Sequence, residues 1–80
     1  MQKPLDILED SLNKNILLKL RGNRELRGVL KSFDNHLNLV LEGAELISIE
    51  NDEAGQEIKQ VEKLGKILLR GDNVILISPP

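Results

Sequence analysis

The sequence has no cysteine, tryptophan or tyrosine, and it holds one phenylalanine, Phe33, and one histidine, His36. Without cysteine there are no disulfides and no thiolate metal sites. A lone imidazole gives little from which to build any other metal site, so no cofactor is expected. The shortage of aromatics leaves Leu, Ile and Val to form the core, residues well suited to strands. No apolar run approaches the ~20 residues that cross a bilayer as a helix. The opening residues 1–6 carry acids early and lack the apolar stretch of a secretory signal. A soluble, cytoplasmic chain with no membrane partner is the expectation.

At 80 residues there is room for one domain, 1–80. A domain this small buries only somewhat more than ~60% of its unfolded surface. The usual staples for such a domain are disulfides, metals or other subunits; here oligomerisation is the one that remains. The net charge of −2 speaks against a broad phosphate-binding face, which needs an excess of Lys and Arg.

The patterning predicts a mostly-β chain with a short helix in front. Pro4 suits a first helical turn, where its missing N–H would be unpaired anyway. Asp6, Glu9 and Asp10 lie early, where the helix dipole favours negative charge, and Leu5, Leu8 and Leu12 share one face, so a helix is expected over 4–12 with these leucines on the core. Strands follow at about 15–20, 25–34, 37–50, 57–69 and 73–78, divided by polar turn residues. Gly28 and Gly65 inside strands predict bends or bulges. Five short, strongly bent antiparallel strands favour a small barrel over a flat sheet. The last strand, Val74-Ile75-Leu76-Ile77, is apolar on both faces, an aggregation hazard unless another subunit pairs with it.

Several polar residues fit this frame poorly. Asn38 interrupts an apolar strand, a place where asparagine is depleted; it either faces solvent or carries a function. His36 is either an ordinary loop histidine or a flat ring offered to a ligand. Asp34 either caps its turn or orients a neighbour. Arg70-Gly71-Asp72-Asn73 makes a tight turn and also presents a guanidinium. Arg21, Arg24 and Arg27 form a basic cluster for which a solvated face is the simpler account. No nucleophile–base pair is apparent, because Asp34 and His36 need not face each other, and the chain is not expected to be an enzyme.

The segment from Gly28 to Leu41, GVLKSFDNHLNLVL, resembles the first Sm motif, with its glycine, leucine, Phe-Asp and later Asn in register. The segment from Lys66 to Val74, KILLRGDNV, resembles the second, an apolar pair followed by Arg-Gly and a polar residue. Both motifs occur in order, separated by a variable hairpin, and together with the helix and five strands the resemblance to the Sm-like (LSm) family, its archaeal members in particular, covers nearly the whole chain. It implies an SH3-like Sm fold, a bent five-stranded barrel capped by the helix. It also implies a homo-oligomeric, heptameric ring joined by pairing the fourth strand of one subunit with the fifth of the next. The implied function is binding of single-stranded, uridine-rich RNA at the central pore, as a scaffold or chaperone in RNA processing alongside RNA-processing proteins.

By the same resemblance a base stacks between His36 and Arg70, Asn38 hydrogen-bonds its edge, and backbone at Gly71 and Asp72 adds a contact; Asp34 joins this candidate RNA-binding set either by orienting a neighbour or by capping the turn alone. The chemistry suits the task. Imidazole and guanidinium are both flat, and an amide offers a donor and an acceptor to uracil. A ring repeating the pocket gains avidity, and one Arg per subunit converging on a pore sets the local field despite the acidic total. Arg21, Arg24 and Arg27 are then a candidate second RNA contact. The alternative reading is a small barrel that mediates protein–protein assembly without nucleic acid.

Overall fold

The structure, a computed structural model, describes residues 3–80. Helix α1 (Pro4–Asp10) precedes β1 (Asn15–Leu20), β2 (Arg24–Phe33), β3 (Leu39–Asn51), β4 (Glu57–Leu69), a one-turn 3-10 helix (Gly71–Asn73) and β5 (Val74–Ser78). The backbone N–H of Lys3 donates to the Asp6 carboxylate (3.1 Å), satisfying a group at the helix entry. The helix stops two residues before the expected end. Ser11 turns its hydroxyl back to the Ile7 carbonyl (2.8 Å), and Asn13 takes a left-handed φ of 64°. Its amide then bonds the Leu30 carbonyl (2.7 Å), while the Leu30 amide bonds Lys14 (3.0 Å), docking the chain on β2. Of the three leucines assigned to the helix's core face, Leu8 is buried and Leu12 partly so. Leu5 is 37% exposed and does not belong to the core, because so short a helix rests on the sheet along a narrow line.

The strands form one antiparallel sheet in the order β4-β3-β2-β1-β5. Alternation puts Ile16, Leu18 and Leu20 of β1, and Leu26 and Leu30 of β2, on the buried face beside Leu39 and Leu41 of β3. Each leucine that reaches full burial stabilises the fold by roughly 1.5–3 kcal/mol relative to exposure.

The bend has a visible cause. Pairing shifts register between Arg27 and Val29, between Leu41 and Ala44, and between Ala44 and Glu45. At those shifts stand Gly28, Gly43 (φ 60°) and Gly65 (φ 73°), on three adjacent strands. A side chain at Gly28 would come within 3.2 Å of the Ala44 backbone, so close strand approach requires glycine there. The extra residue on β3 also keeps Ala44 pointing inward after Leu41, where unbroken alternation would turn it out.

The sheet is strongly bent, as expected, but β4 and β5 stand at its two edges and do not pair with each other within the chain. Both edges carry exposed apolar side chains: Ile58, Val61 and Leu68 on β4, Ile75 and Leu76 on β5. Among the described residues no helix is long and apolar enough to cross a membrane.

Candidate nucleic-acid interface

Two loops meet at one end of the sheet. The β2–β3 loop contains Asp34–Asn38, and the β4–β5 connection contains Arg70–Asn73. Pairing of Leu39 with Leu69 places the start of β3 beside the end of β4 and so brings the loops together.

Asp34 organises the first loop. Its Oδ1 accepts from the backbone amides of His36 (2.9 Å) and Asn38 (3.0 Å), and its Oδ2 accepts from Asn38 Nδ2 (3.0 Å). The backbone closes the same loop, with Asp34 N–H on the Asn38 carbonyl (3.2 Å) and Leu37 N–H on the Asp34 carbonyl (3.1 Å). These bonds, the Asn38 side chain's first, hold the Asp34 carboxyl below its ordinary value by favouring the charged form.

Asn38 then bridges to the second loop, where its Oδ1 accepts from the Gly71 amide (3.1 Å). With Nδ2 turned to Asp34 and Oδ1 to Gly71, the amide keeps one N–H and one lone pair for a further partner. Gly71 lies so close to the first loop that a Cβ there would strike the His36 carbonyl oxygen, with the Leu37 carbonyl oxygen and carbon at 2.8 and 2.9 Å. Glycine is required by this approach of two backbones.

His36 is exposed. The Asp34 carboxylate accepts from its backbone amide (2.9 Å). The Arg70 side chain is 77% exposed, and its guanidinium lies 3.4 Å from the carboxylate of Asp72, a side chain 65% exposed. So open a pair contributes little to stability and leaves the guanidinium face available. The structure thus joins Asp34, Asn38 and Gly71 directly, sets His36 against Gly71 through its carbonyl, and places Arg70 and Asp72 on either side of Gly71.

The basic cluster resolves differently. Arg27 pairs with Glu45 across the strands (2.9 Å), and Arg24 Nε donates to the Arg21 carbonyl (3.2 Å). All three arginines are exposed, consistent with a solvated face.

One residue of this loop that sequence reasoning does not single out is Leu37. It was expected to open β3, yet it has a left-handed φ of 62° and the strand begins only at Leu39. The only local sign is the Asp34-to-Asn38 spacing, which marks the loop but not its conformation.

Comparison with known proteins is consistent along the chain. Residues 6–79 match the LSM domain family. An Sm-like protein of Methanococcoides burtonii is 46% identical over 77 residues, spanning 96% of each chain. A solved Pyrococcus abyssii Sm protein in complex with a uridine heptamer is 43% identical, covers 99% of this chain and 100% of its own, and superposes with a TM-score of 0.78. The P. aerophilum SmAP1 heptamer is 41% identical, with coverage of 100% and 96% and a TM-score of 0.79.

Proposed function

The chain belongs to the LSM domain family, and on that premise we propose that it closes into a homo-oligomeric ring, most simply a heptamer, that binds single-stranded uridine-rich RNA at its pore. Each subunit's pocket is formed by Asp34, His36 and Asn38 on one loop and Arg70, Gly71 and Asp72 on the other. A base stacks between the His36 ring and the Arg70 guanidinium. The free N–H and lone pair of the Asn38 amide meet its edge, and backbone at Gly71 and Asp72 completes the contact. The observation that carries this reading is the relay Asp34–Asn38–Gly71, which fixes the Asn38 amide in the same loop as the exposed His36 and ties it to the residue that follows the exposed Arg70. The relay accounts for an asparagine at the mouth of an apolar strand, which a pure assembly role leaves unexplained.

The ring forms by pairing the free β4 edge of one subunit with the free β5 edge of the next, covering the apolar side chains that both expose. A contact between two different edges must close or grow into a filament. The protein serves as a scaffold or chaperone in the cytoplasm, not as an enzyme. The Asp34 carboxylate accepts from the His36 and Asn38 backbone amides and from the Asn38 side chain, bonds that commit it to holding the loop.

Light scattering with and without oligouridine, and with oligocytidine as control, tests assembly and binding together. A mass near seven subunits with selective oligouridine binding is expected. In that ring, Arg70→Ala and Asn38→Ala lower affinity while the mass is kept; loss of one stacking partner costs roughly 1–3 kcal/mol per base, about 5- to 150-fold. Full binding by both variants refutes the pocket. A ring indifferent to RNA leaves the protein-assembly reading.

A further inference from the structure

The loop at the proposed pocket occurs twice in this chain. In the β3–β4 hairpin, Asp52 Oδ1 accepts from the amides of Ala54 (2.9 Å) and Gln56 (2.8 Å). The Asp52 amide bonds the Gln56 carbonyl (2.8 Å), and the Gly55 amide bonds the Asp52 carbonyl (3.0 Å). Residue for residue this is the pattern of Asp34–Asn38, and the fourth position is left-handed in both, at φ 80° for Gly55 and 62° for Leu37. Gly55 adopts that conformation freely, whereas Leu37 adopts it against its own side chain.

The two leucine-or-glycine positions differ in what lies beneath them. Nothing lies within 4 Å of a Cβ built on Gly55. Leu37 is partly buried, packs against the core cluster, and lines an apolar groove with Leu8 and Ile7 of α1 and Val74 and Ile77 of β5. Its carbonyl abuts Gly71, and its chain neighbours are His36 and Asn38. A strained backbone is maintained where the surroundings over-determine it, and such positions concentrate at functional sites.

We infer that Leu37 is a positioning residue of the pocket: its side chain, packed against the core and forming part of the wall of the groove between α1 and β5, holds the left-handed turn that sets His36 and Asn38 against Gly71. The inference rests on the RNA-binding reading for its consequence, though its geometry does not. Two substitutions separate anchor from conformation. Leu37→Gly keeps the left-handed turn accessible and removes the anchor; Leu37→Met keeps an apolar anchor of similar volume.

In the assembled protein, Leu37→Gly weakens oligouridine binding about tenfold or more, as two freed residues must be ordered on binding, and Leu37→Met restores it. Amide hydrogen exchange supplies a readout independent of RNA. In Leu37→Gly the amides of His36 and Asn38 exchange faster, while those of Ala54 and Gln56 in the twin loop do not change. Exchange that rises equally in both loops, or a Leu37→Gly protein with parental exchange, overturns the inference. Failure of the parent protein to bind oligouridine overturns the RNA reading instead, and the exchange contrast still decides the role of Leu37.

Discussion

Replacing Gly71 with alanine tests the closeness of the two loops. The added Cβ has no free direction, because the atoms it meets belong to the His36 and Leu37 backbone and cannot swing aside as a side chain would. Ordinary contact begins at 3.4 Å, the Leu37 carbonyl oxygen stands at 2.8 Å and the His36 carbonyl oxygen closer still, so the loops must part by at least about 0.6 Å. That movement carries the Asn38–Gly71 hydrogen bond from 3.1 Å to about 3.7 Å or more, beyond useful reach. The loss of that bond is worth about 1 kcal/mol, and forced overpacking typically costs ~1–3 kcal/mol more. At about 4–8 °C per kcal/mol for a chain of this size, a total near 2–4 kcal/mol lowers the melting temperature by at least about 8 °C. Differential scanning calorimetry at fixed protein concentration measures it. Gly55→Ala is the comparison, since it meets only left-handed strain of ~1–2 kcal/mol and no steric contact. If Gly71→Ala melts with the parent, or above Gly55→Ala, the two loops are not in the contact described.

The pocket should also fail in acid. The Asp34 carboxyl titrates below its unfolded value of 3.8, chiefly through the Asn38 side chain. Its contribution is therefore complete above that value and is lost as pH falls through the lower folded one. Acid titration of the His36 and Asn38 amide resonances should show the loss, and Asp34→Asn should abolish this pH dependence; an unchanged titration in that variant refutes the assignment. Ile75→Lys, at a side chain 65% exposed, should leave the subunit folded by circular dichroism but reduce the mass seen by light scattering, since a lysine on an edge strand opposes pairing. Leu30→Ala, at a fully buried position, should cost about 2–5 kcal/mol in urea unfolding, and a smaller loss would mean that the core closes around the deletion.

Much of the fold was legible because it depends on local rules. Pro4 marks the helix start, and β4 begins and ends where its pattern predicts. Gly28 and Gly65 stand at register shifts, as mid-strand glycines should. Burial was harder to place. Leu5 matches the helical period, but a helix this short presents too narrow a contact for every leucine in phase. Leu37 misled more deeply: a branched apolar residue followed by alternation reads as strand, yet the loop that Asp34 closes places it in a left-handed turn. At the site, residue types pointed to Asp34, His36, Asn38 and Arg70. The bond from Asn38 to Gly71, 33 positions away, follows from the pairing of β3 with β4 and has no local signature.

The two loops of the pocket belong to the same chain, closed by Leu39 against Leu69. In a ring of the proposed kind, the relay from Asp34 to Gly71 is complete within each subunit and borrows nothing from the neighbour. A defective copy therefore deletes one pocket and spares the two beside it. In mixed rings of intact and Asn38→Ala subunits, the number of working pockets should decline in proportion to dosage. Affinity for long oligouridine should fall more steeply, because avidity depends on consecutive pockets. Loss at this pocket would be graded in a mixed population, whereas loss at the β4 or β5 edge would interrupt the ring for every member.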